Sequence, residues 1–102
     1  MPFIDIWITN PSQAVAKKIA LYLLKKHLGA CANIFPVHSA YLWKNKLVKA
    51  REWVLIFKTT SRNYKKVERE VIKIHPYKVP CIMKIYVSAN KDYEKWMRDE
   101  TK

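Results

Sequence analysis

The sequence predicts an α+β sandwich in which helices cover an antiparallel sheet. Strand-like apolar runs and helix-like apolar spacings follow one another in the order strand, helix, strand, strand, helix, strand, helix. Right-handed crossovers in that order favour a ferredoxin-like βαββαβ arrangement, with four antiparallel strands and one extra helix at the C-terminus. Since the 102 residues contain no repeat and no linker-like stretch, we expect a single domain spanning residues 1–102.

The first strand and helix are predicted from the N-terminal third of the chain. Residues 3–9 (FIDIWIT) are apolar on both faces, which is typical of a central strand. Asn10 is expected to cap the following helix, with Pro11 in its first position. Apolar residues at spacings of three and four between Val15 and Leu24 predict its buried stripe. Gly29, the only glycine, is expected to close the helix as the residue after its C-cap.

A long hairpin is predicted over residues 30–60, with its turn at Lys44–Asn45–Lys46. Pro36 indicates that the first arm is an edge strand that bends or bulges there. At about 3.3 Å per residue the arms extend to roughly 50 Å. A compact chain of this length is only roughly 33 Å across. We therefore expect the outer half of the hairpin to contact another copy of the chain.

The C-terminal part predicts a helix, a strand and a short final helix. The helix that begins near Thr60 or Ser61 is expected to stop before Pro76, because the residue preceding a proline avoids the helical region. A rigid link leads to a strand over residues 81–88, and Asn90 is expected to cap the last helix. The residues predicted on the inner side of that helix are Tyr93, Trp96 and Met97.

The net charge of +12 is unevenly distributed, because residues 6–51 contain eight Lys or Arg and no Asp or Glu. Such a field attracts polyanions, nucleic acid among them, although solubility or heat adaptation also explains it. Trp7 together with Trp53 or Phe57 offers a base-stacking platform as a further nucleic-acid alternative. No apolar run approaches the roughly 20 residues that cross a membrane. The opening residues carry no export signal, so we expect a cytoplasmic protein.

The side chains able to bind a soft metal are few. With one glycine there is no phosphate-binding loop, so no nucleotide cofactor is expected, and no Ser/His/Asp set supports a hydrolase. Cys31, His75 and Cys81 are the candidates for copper or another divalent cation, with His38 and Met83 as weaker ones. Each also has a purely structural interpretation, as a core cysteine or a helix-end histidine. Since the second and fourth strands of this fold form opposite sheet edges, Cys31 and Cys81 can meet only across a subunit boundary.

Five blocks of the chain resemble the CutA divalent-cation tolerance family: ACANIFP at 30–36, YLWKNK at 41–46, KTT at 58–60, HPYKVP at 75–80 and YEKW at 93–96. The resemblance implies a cytoplasmic homotrimer in which edge strands extend one another's sheets, similar to the PII signalling proteins. It implies tolerance of divalent cations, copper above all, without an established enzymatic reaction. It also implies ligand clefts between subunits, lined by Cys31, Trp43, Lys58, Thr59, His75, Tyr77 and Trp96.

The chain departs from this family where the family has carboxylates. Val48 and Ala50 stand where glutamates tend to follow the turn, and Cys81 stands where a glutamate tends to follow the second proline. A thiol in place of a carboxylate favours softer ions. The first hypothesis is therefore a trimeric metal-binding protein, and the alternative is a basic nucleic-acid-associated or scaffold protein. An enzyme acting through His75 and Lys58 has only the cleft itself in its favour.

Overall fold

The computed structural model describes residues 2–102 and contains four strands and three α-helices. A single 3-10 turn, Ser61–Asn63, precedes the second helix. The observed order confirms the predicted α+β class. The elements are β1 (Phe3–Asn10), α1 (Gln13–Lys25), β2 (Cys31–Trp43), β3 (Lys46–Thr60), α2 (Tyr64–Ile74), β4 (Ile82–Val87) and α3 (Lys91–Glu100).

The four strands form one antiparallel sheet in the order β2-β3-β1-β4. β1 is internal, as its two apolar faces predict, and β2 and β4 are the two edges. Helices α1 and α2 pack on one face of the sheet. The core between them and the sheet is built mainly from Ile4, Ile6, Ile8, Ile19, Leu23, Leu55, Phe57, Val67 and Val71.

Helix α1 begins two residues later than predicted. Ser12 is its N-cap, and the Ser12 hydroxyl accepts a hydrogen bond from the Val15 amide at 3.1 Å. Asn10 instead ends β1, where its side-chain amide donates to the carbonyls of Ile8 at 2.9 Å and Trp53 at 3.0 Å. The predicted cap is therefore wrong, because the Asn10 side chain is engaged by the sheet.

The end of α1 also differs from the prediction. His27, with φ of 57°, occupies the left-handed position after the C-cap, and the Leu28 amide donates to the Leu23 carbonyl at 3.2 Å. These features form a Schellman motif without glycine. Gly29 does not have positive φ, but a Cβ there would lie 2.5 Å from the ring of Phe57. Glycine is needed at this position because the chain passes directly against β3.

The hairpin has its turn where the sequence predicts it but lacks the predicted bend or bulge in its first arm. Lys44 and Asn45 both have positive φ, 49° and 66°, which defines a two-residue turn of type I′. β2 is an edge strand, as Pro36 indicates. The predicted bulge is absent, because the pairing register continues unbroken from Cys31 to Trp43, with Pro36 opposite Trp53. An edge strand tolerates proline because part of its N–H groups faces away from the ladder.

The molecule is elongated, measuring 45 × 24 × 21 Å, because the hairpin extends beyond the helices. Large apolar side chains near the hairpin tip are exposed, Leu42 to 73%. Edge strand β4 is exposed as well, with Tyr86 at 62%. Both sheet edges therefore carry apolar surface. Within residues 2–102, no helix combines the length and apolar character needed to cross a membrane.

The C-terminal elements agree with the sequence except at one tryptophan. α2 ends at Ile74, before Pro76 as predicted, and Asn90 is the N-cap of α3. Met97 is buried, but Trp96 is 44% exposed, so its predicted place on the inner side is wrong within this chain. Helix α3 packs against the sheet through Tyr93 and Met97, and the side of the helix that carries Trp96 is exposed to solvent.

Candidate functional site

The sheet face opposite α1 and α2 is only partly covered and carries the candidate sites. The pairing register places Trp7 opposite Ile56 and Met83, and the Trp7 ring meets Phe35 edge-on at 6.1 Å. Phe57, the next residue along β3, points to the other face and is fully buried among the helices. Trp53, opposite Asn10, lies on the same face as Phe57. The predicted stacking platform of Trp7 with Trp53 or Phe57 is therefore not formed, since Trp7 lies on the opposite face from both.

A cavity of about 910 Å³ lies between the outer half of the hairpin and the link formed by residues 75–81. Its floor is the open face where β1 ends beside the middle of β3, and its wall is the inner side of the hairpin. This cavity combines aromatic walls with a few polar groups. The lining side chains that matter chemically are Thr9, Tyr41, Trp43, Glu52, Tyr77 and Cys81.

A buried carboxylate forms part of the cavity floor. Glu52 is only 5% exposed, and the Tyr77 hydroxyl donates a hydrogen bond of 2.5 Å to its Oε2. Burial, and then this bond to Glu52, raise the pKa of Tyr77 above its ordinary value. The phenol therefore stays protonated and remains a donor to the carboxylate across the neutral range.

His75 lies beside this pair, with both ring nitrogens engaged. Its Nε2 is 2.9 Å from the Thr9 carbonyl, which only accepts, so Nε2 carries the proton. Its Nδ1 accepts from the Tyr77 amide at 3.1 Å. Burial lowers the pKa of His75, so the ring is neutral at pH 7. In this arrangement neither nitrogen is free for a metal, and the ring anchors the link to β1.

Cys81 directs a thiol towards the same cavity. Burial, followed by the nearby Glu52 carboxylate, raises the pKa of this thiol, while a hydrogen bond with Thr9 acts in the opposite direction. At neutral pH the thiol is therefore protonated. Cys81 and Glu52 together present one soft and one hard potential ligand to the cavity.

A second group lies at the far end of the open face, against α3. Cys31 stands opposite Lys58 in the β2–β3 register, and the Lys58 Nζ lies 5.4 Å from the Tyr93 ring centroid. Burial, and then a hydrogen bond with Cys31, raise the pKa of Tyr93. The Tyr93 and Trp96 rings are 5.5 Å apart. A cavity of about 200 Å³ beside them is lined by Asp5, Lys58 and Tyr93.

The residues predicted to bind metal or to line the clefts thus divide between two ends of the sheet. The group at the larger cavity comprises Trp43, Tyr77 and Cys81. The group against α3 comprises Cys31, Lys58 and Trp96. Within residues 2–102, no three His, Cys, Asp or Glu side chains converge in a way that would hold a metal ion. A single chain therefore does not gather Cys31, His75 and Cys81 into one centre.

Thr59, the remaining predicted cleft residue, lies on neither site. It is fully buried on the helix side, and its hydroxyl donates to the Leu28 carbonyl at 2.6 Å. Asn63 donates to the same carbonyl at 3.1 Å and to the Lys102 carbonyl at 2.8 Å. Within this chain Thr59 is thus a structural residue that holds the end of α1 against β3.

Sequence reasoning missed Glu52 as the centre of the larger cavity. It is the only acid between Asp5 and Glu68, and it sits in a strand with apolar neighbours. A lone carboxylate in such a strand is a signal for a buried, hydrogen-bonded group. Its partner Tyr77 lies 25 positions away, so the pair itself could be found only from the fold.

Both the sequence and the fold of this chain are similar to those of known proteins. The family model described as CutA1 divalent ion tolerance protein matches residues 4–100. The divalent-cation tolerance protein CutA of Archaeoglobus fulgidus is 42% identical over 97 residues, covering 94% of each chain. The protein of the same name from Thermotoga maritima is 38% identical over 95 residues, covering 92% of this chain and 94% of its own.

Solved structures are similar over nearly the whole chain. The periplasmic divalent cation tolerance protein CutA from Archaeoglobus fulgidus has a TM-score of 0.94 at 38% identity, covering 96% of this chain and 97% of its own. CutA1 from Oryza sativa has a TM-score of 0.96 at 29% identity, covering 100% of this chain and 95% of its own. The similarity therefore extends to the hairpin and the C-terminal helix as well as to the central sheet.

Proposed function

Because this chain belongs to the CutA divalent-ion tolerance family, we propose that it acts in divalent-cation tolerance as a homotrimer that binds a soft cation such as copper. The observation that carries the proposal is the placement of Cys81 and Glu52 on one cavity next to the edge strand β4. A thiol beside a carboxylate suits copper better than it suits calcium or magnesium.

The trimer is supported by the two unpaired edges of the sheet. β2 and β4 are different strands, so pairing the β2 edge of one copy with the β4 edge of the next is a head-to-tail contact. Head-to-tail contacts close into rings when the rotation permits. Both edges expose apolar side chains, including Leu42 and Tyr86, and burying such surface favours association. A ring of three copies leaves neither edge free.

The cation site is proposed to be completed by a neighbouring copy. Cys81 and Glu52 supply two ligands, whereas copper and zinc sites commonly use three or four. Extending the sheet sets the β2 edge of the next copy antiparallel to β4, because neighbouring strands alternate in direction. The start of β2 at Cys31 then lies beside the end of β4, and the outer half of the hairpin lies beside Cys81. We therefore propose that the further ligands come from the outer half of the neighbour's hairpin, whereas Cys31 belongs to the separate group against α3. His75 then positions the link that carries Cys81 and is not itself a ligand.

A copper titration tests this site. Cu(I) is titrated anaerobically into the protein in competition with a chelator of known affinity. We expect one ion per chain and at least tenfold weaker binding for Cys81→Ser, with little change for Cys31→Ser. His27→Gln, an exposed histidine after α1, is the matched control and should bind normally. Absence of binding at micromolar copper, or equal binding by Cys81→Ser, would refute the site.

The affinity should also depend on pH in a defined direction. Since burial raises the pKa of Cys81, the cation must displace a proton from the thiol. Binding is therefore expected to strengthen between pH 6 and pH 8.5 and to release about one proton per ion. Calorimetric titrations in two buffers of different ionisation enthalpy measure that proton directly.

We propose binding, in the manner of a PII-like sensor or scaffold, as the role of the cavity. His75 is neutral with both nitrogens bonded, and Tyr77 is held as a protonated donor. The hydrogen bonds of His75 and Tyr77 therefore serve to hold the link against the sheet. Cation binding at the link would alter the neighbouring hairpin surface, where a partner protein can respond to it.

A cytoplasmic location is part of the proposal. Cys31 and Cys81 are free and partly accessible thiols, as is usual in a reducing compartment. The structurally similar protein from Archaeoglobus fulgidus is described as periplasmic. Cell fractionation followed by immunodetection distinguishes the two locations, and recovery outside the cytoplasmic fraction would overturn this part.

A further inference from the structure

The positive charge of this protein is concentrated on one surface, the outer side of α1 and α2 and their flanking turns. We call this surface the basic helix face. It carries nine exposed cations against two acids, Glu68 and Glu70, and so accounts for +7 of the net +12. The cations are Lys17, Lys18, Lys25, Lys26, Arg62, Lys65, Lys66, Arg69 and Lys73.

The acids of this face neutralise little of that charge. Glu70 accepts a 2.5 Å hydrogen bond from Tyr22, pairs with Lys73 at 3.0 Å and lies 3.8 Å from Lys26. Glu68 accepts from the Tyr64 hydroxyl at 3.3 Å. Seven of the nine cations therefore have no carboxylate partner within residues 2–102. Such a surface attracts a polyanion strongly at low ionic strength.

The apolar stripes of the two helices help to decide whether the basic helix face binds an anionic lipid surface or a chain of phosphates. Ile19 and Leu23 of α1, with Val67 and Val71 of α2, are fully buried in the core. Leu21 and Ile72 are exposed, but only one such residue on each helix does not make the continuous apolar face that a membrane-surface helix inserts into a lipid bilayer. The outer surface offers charge and donors, which suit a chain of phosphates.

The same face lacks the features that read a nucleic-acid sequence. Its tyrosines, Tyr22 and Tyr64, are hydrogen-bonded to glutamates and only partly exposed, so they do not form a stacking surface. Contact is thus limited to backbone phosphates, which gives affinity without sequence preference. The lysines from position 17 to position 26 extend over about 14 Å of helix, enough to meet several phosphates of a duplex.

We propose that the basic helix face binds the phosphate backbone of nucleic acid without regard to sequence. The face lies on the side of the sheet away from the cavity and the Trp7 surface. It therefore remains outward when the sheet edges are used for assembly, and several copies in one particle would bind cooperatively through increased effective concentration. Phosphate binding at this face does not require copper binding.

Fluorescence anisotropy with a labelled 20-base-pair duplex over a series of salt concentrations tests the proposal. The triple variant Lys17→Gln, Lys18→Gln, Lys25→Gln removes three cations from the face. The matched triple Lys44→Gln, Lys46→Gln, Lys91→Gln removes the same charge from elsewhere. We expect the triple variant of α1 to bind the duplex at least tenfold more weakly than the unmodified protein. The slope of log affinity against log salt concentration should become shallower by about 2.7, the value for three lost phosphate contacts. The matched triple variant should change affinity less than threefold.

Three results would overturn the proposal. The first is absence of duplex binding by the unmodified protein at 50 mM salt. The second is an equal loss in both triple variants, which would reduce the effect to net charge alone. The third is tighter, face-dependent binding to vesicles of anionic lipid than to the duplex, which would assign the face to membranes instead. Circular dichroism of each variant establishes that the fold is intact before binding is compared.

Discussion

The Tyr77 hydroxyl donates a 2.5 Å hydrogen bond to Glu52 Oε2, which joins the link before β4 to the middle of β3. His75 strengthens the same connection through the Thr9 carbonyl. The link thus has two separate polar attachments to the sheet, and Cys81 follows directly after it. The position of the thiol is determined by these contacts more than by β4 itself, which begins one residue later.

Removing the Tyr77 hydroxyl should destabilise the protein. In Tyr77→Phe the buried Glu52 carboxylate loses its hydrogen-bond donor, which costs about 1.5 kcal/mol, the lower end for a bond to a charged group because Tyr77 is partly exposed. A double-mutant cycle with Glu52→Gln is the control, because removing the hydroxyl should cost less once the carboxylate is gone. Guanidinium unfolding at one fixed protein concentration measures the difference. An unchanged midpoint for Tyr77→Phe, or an equal loss when the same substitution is made in Glu52→Gln, would contradict the importance of this bond.

Acid stability should depend on Glu70. The hydrogen bond from Tyr22, then that from Lys73, lower the pKa of Glu70 from 4.5 to about 2. The unfolded chain therefore binds more protons than the folded one in that range, so the stabilisation is present above pH 4.5 and is lost as pH falls towards 2. Glu70→Gln should flatten the fall in thermal midpoint between pH 4.5 and pH 2.5. Glu100 is an exposed acid at the end of α3, and Glu100→Gln is the control, which should leave the fall in thermal midpoint unchanged. If Glu100→Gln flattens the fall and Glu70→Gln does not, Glu70 is not the source of the acid sensitivity.

Substitutions at two neighbouring positions after α1 should change the free energy of unfolding in opposite directions. A methyl group at Gly29 would lie 2.5 Å from the Phe57 ring and 2.6 Å from the Lys58 carbonyl, so Gly29→Ala should cost about 2 kcal/mol or more. His27 has φ of 57°, a backbone that glycine adopts without strain. His27→Gly should therefore stabilise by about 0.5 kcal/mol after its entropic cost. Denaturant unfolding measures both, and a stable Gly29→Ala would show that Phe57 can move away.

Charge on the exposed edge strand should prevent assembly. Ile85 lies on the open face of β4 and is partly exposed in the single chain, so burial against another copy makes a lysine there unfavourable. Ile85→Lys is expected to shift the protein to smaller species in sedimentation velocity at micromolar concentration. Leu21→Lys, an exposed apolar residue on α1, is the matched control and should sediment like the unmodified protein. If both variants retain the original mass, β4 is not part of the interface.

Element types and sheet order were predictable because they depend on periodicity and on topology. The central place of β1 follows from its two apolar faces, and the opposite edges of Cys31 and Cys81 follow from the strand order. The turn at Asn45 was predictable because few residues accept its backbone conformation.

What escaped prediction depends on contacts between distant segments. Asn10 looked like a cap by local sequence, but β3 supplies a partner for its side chain. Gly29 looked like a helix terminator, whereas the nearby Phe57 ring is what excludes a larger residue. The Glu52–Tyr77 pair and the engaged nitrogens of His75 arise only when the link folds onto the sheet. Motif resemblance identified the family but could not divide its cleft residues between two ends of the sheet.

Native mass spectrometry of the purified protein, with and without one equivalent of Cu(I) per chain, tests the central claim most directly. We predict a species of three chains that takes up three copper ions, and the same three-chain species with reduced uptake for Cys81→Ser. A single-chain mass, or a three-chain species that takes up no copper under conditions where the unmodified fold is intact, would contradict the proposed trimeric cation-binding protein.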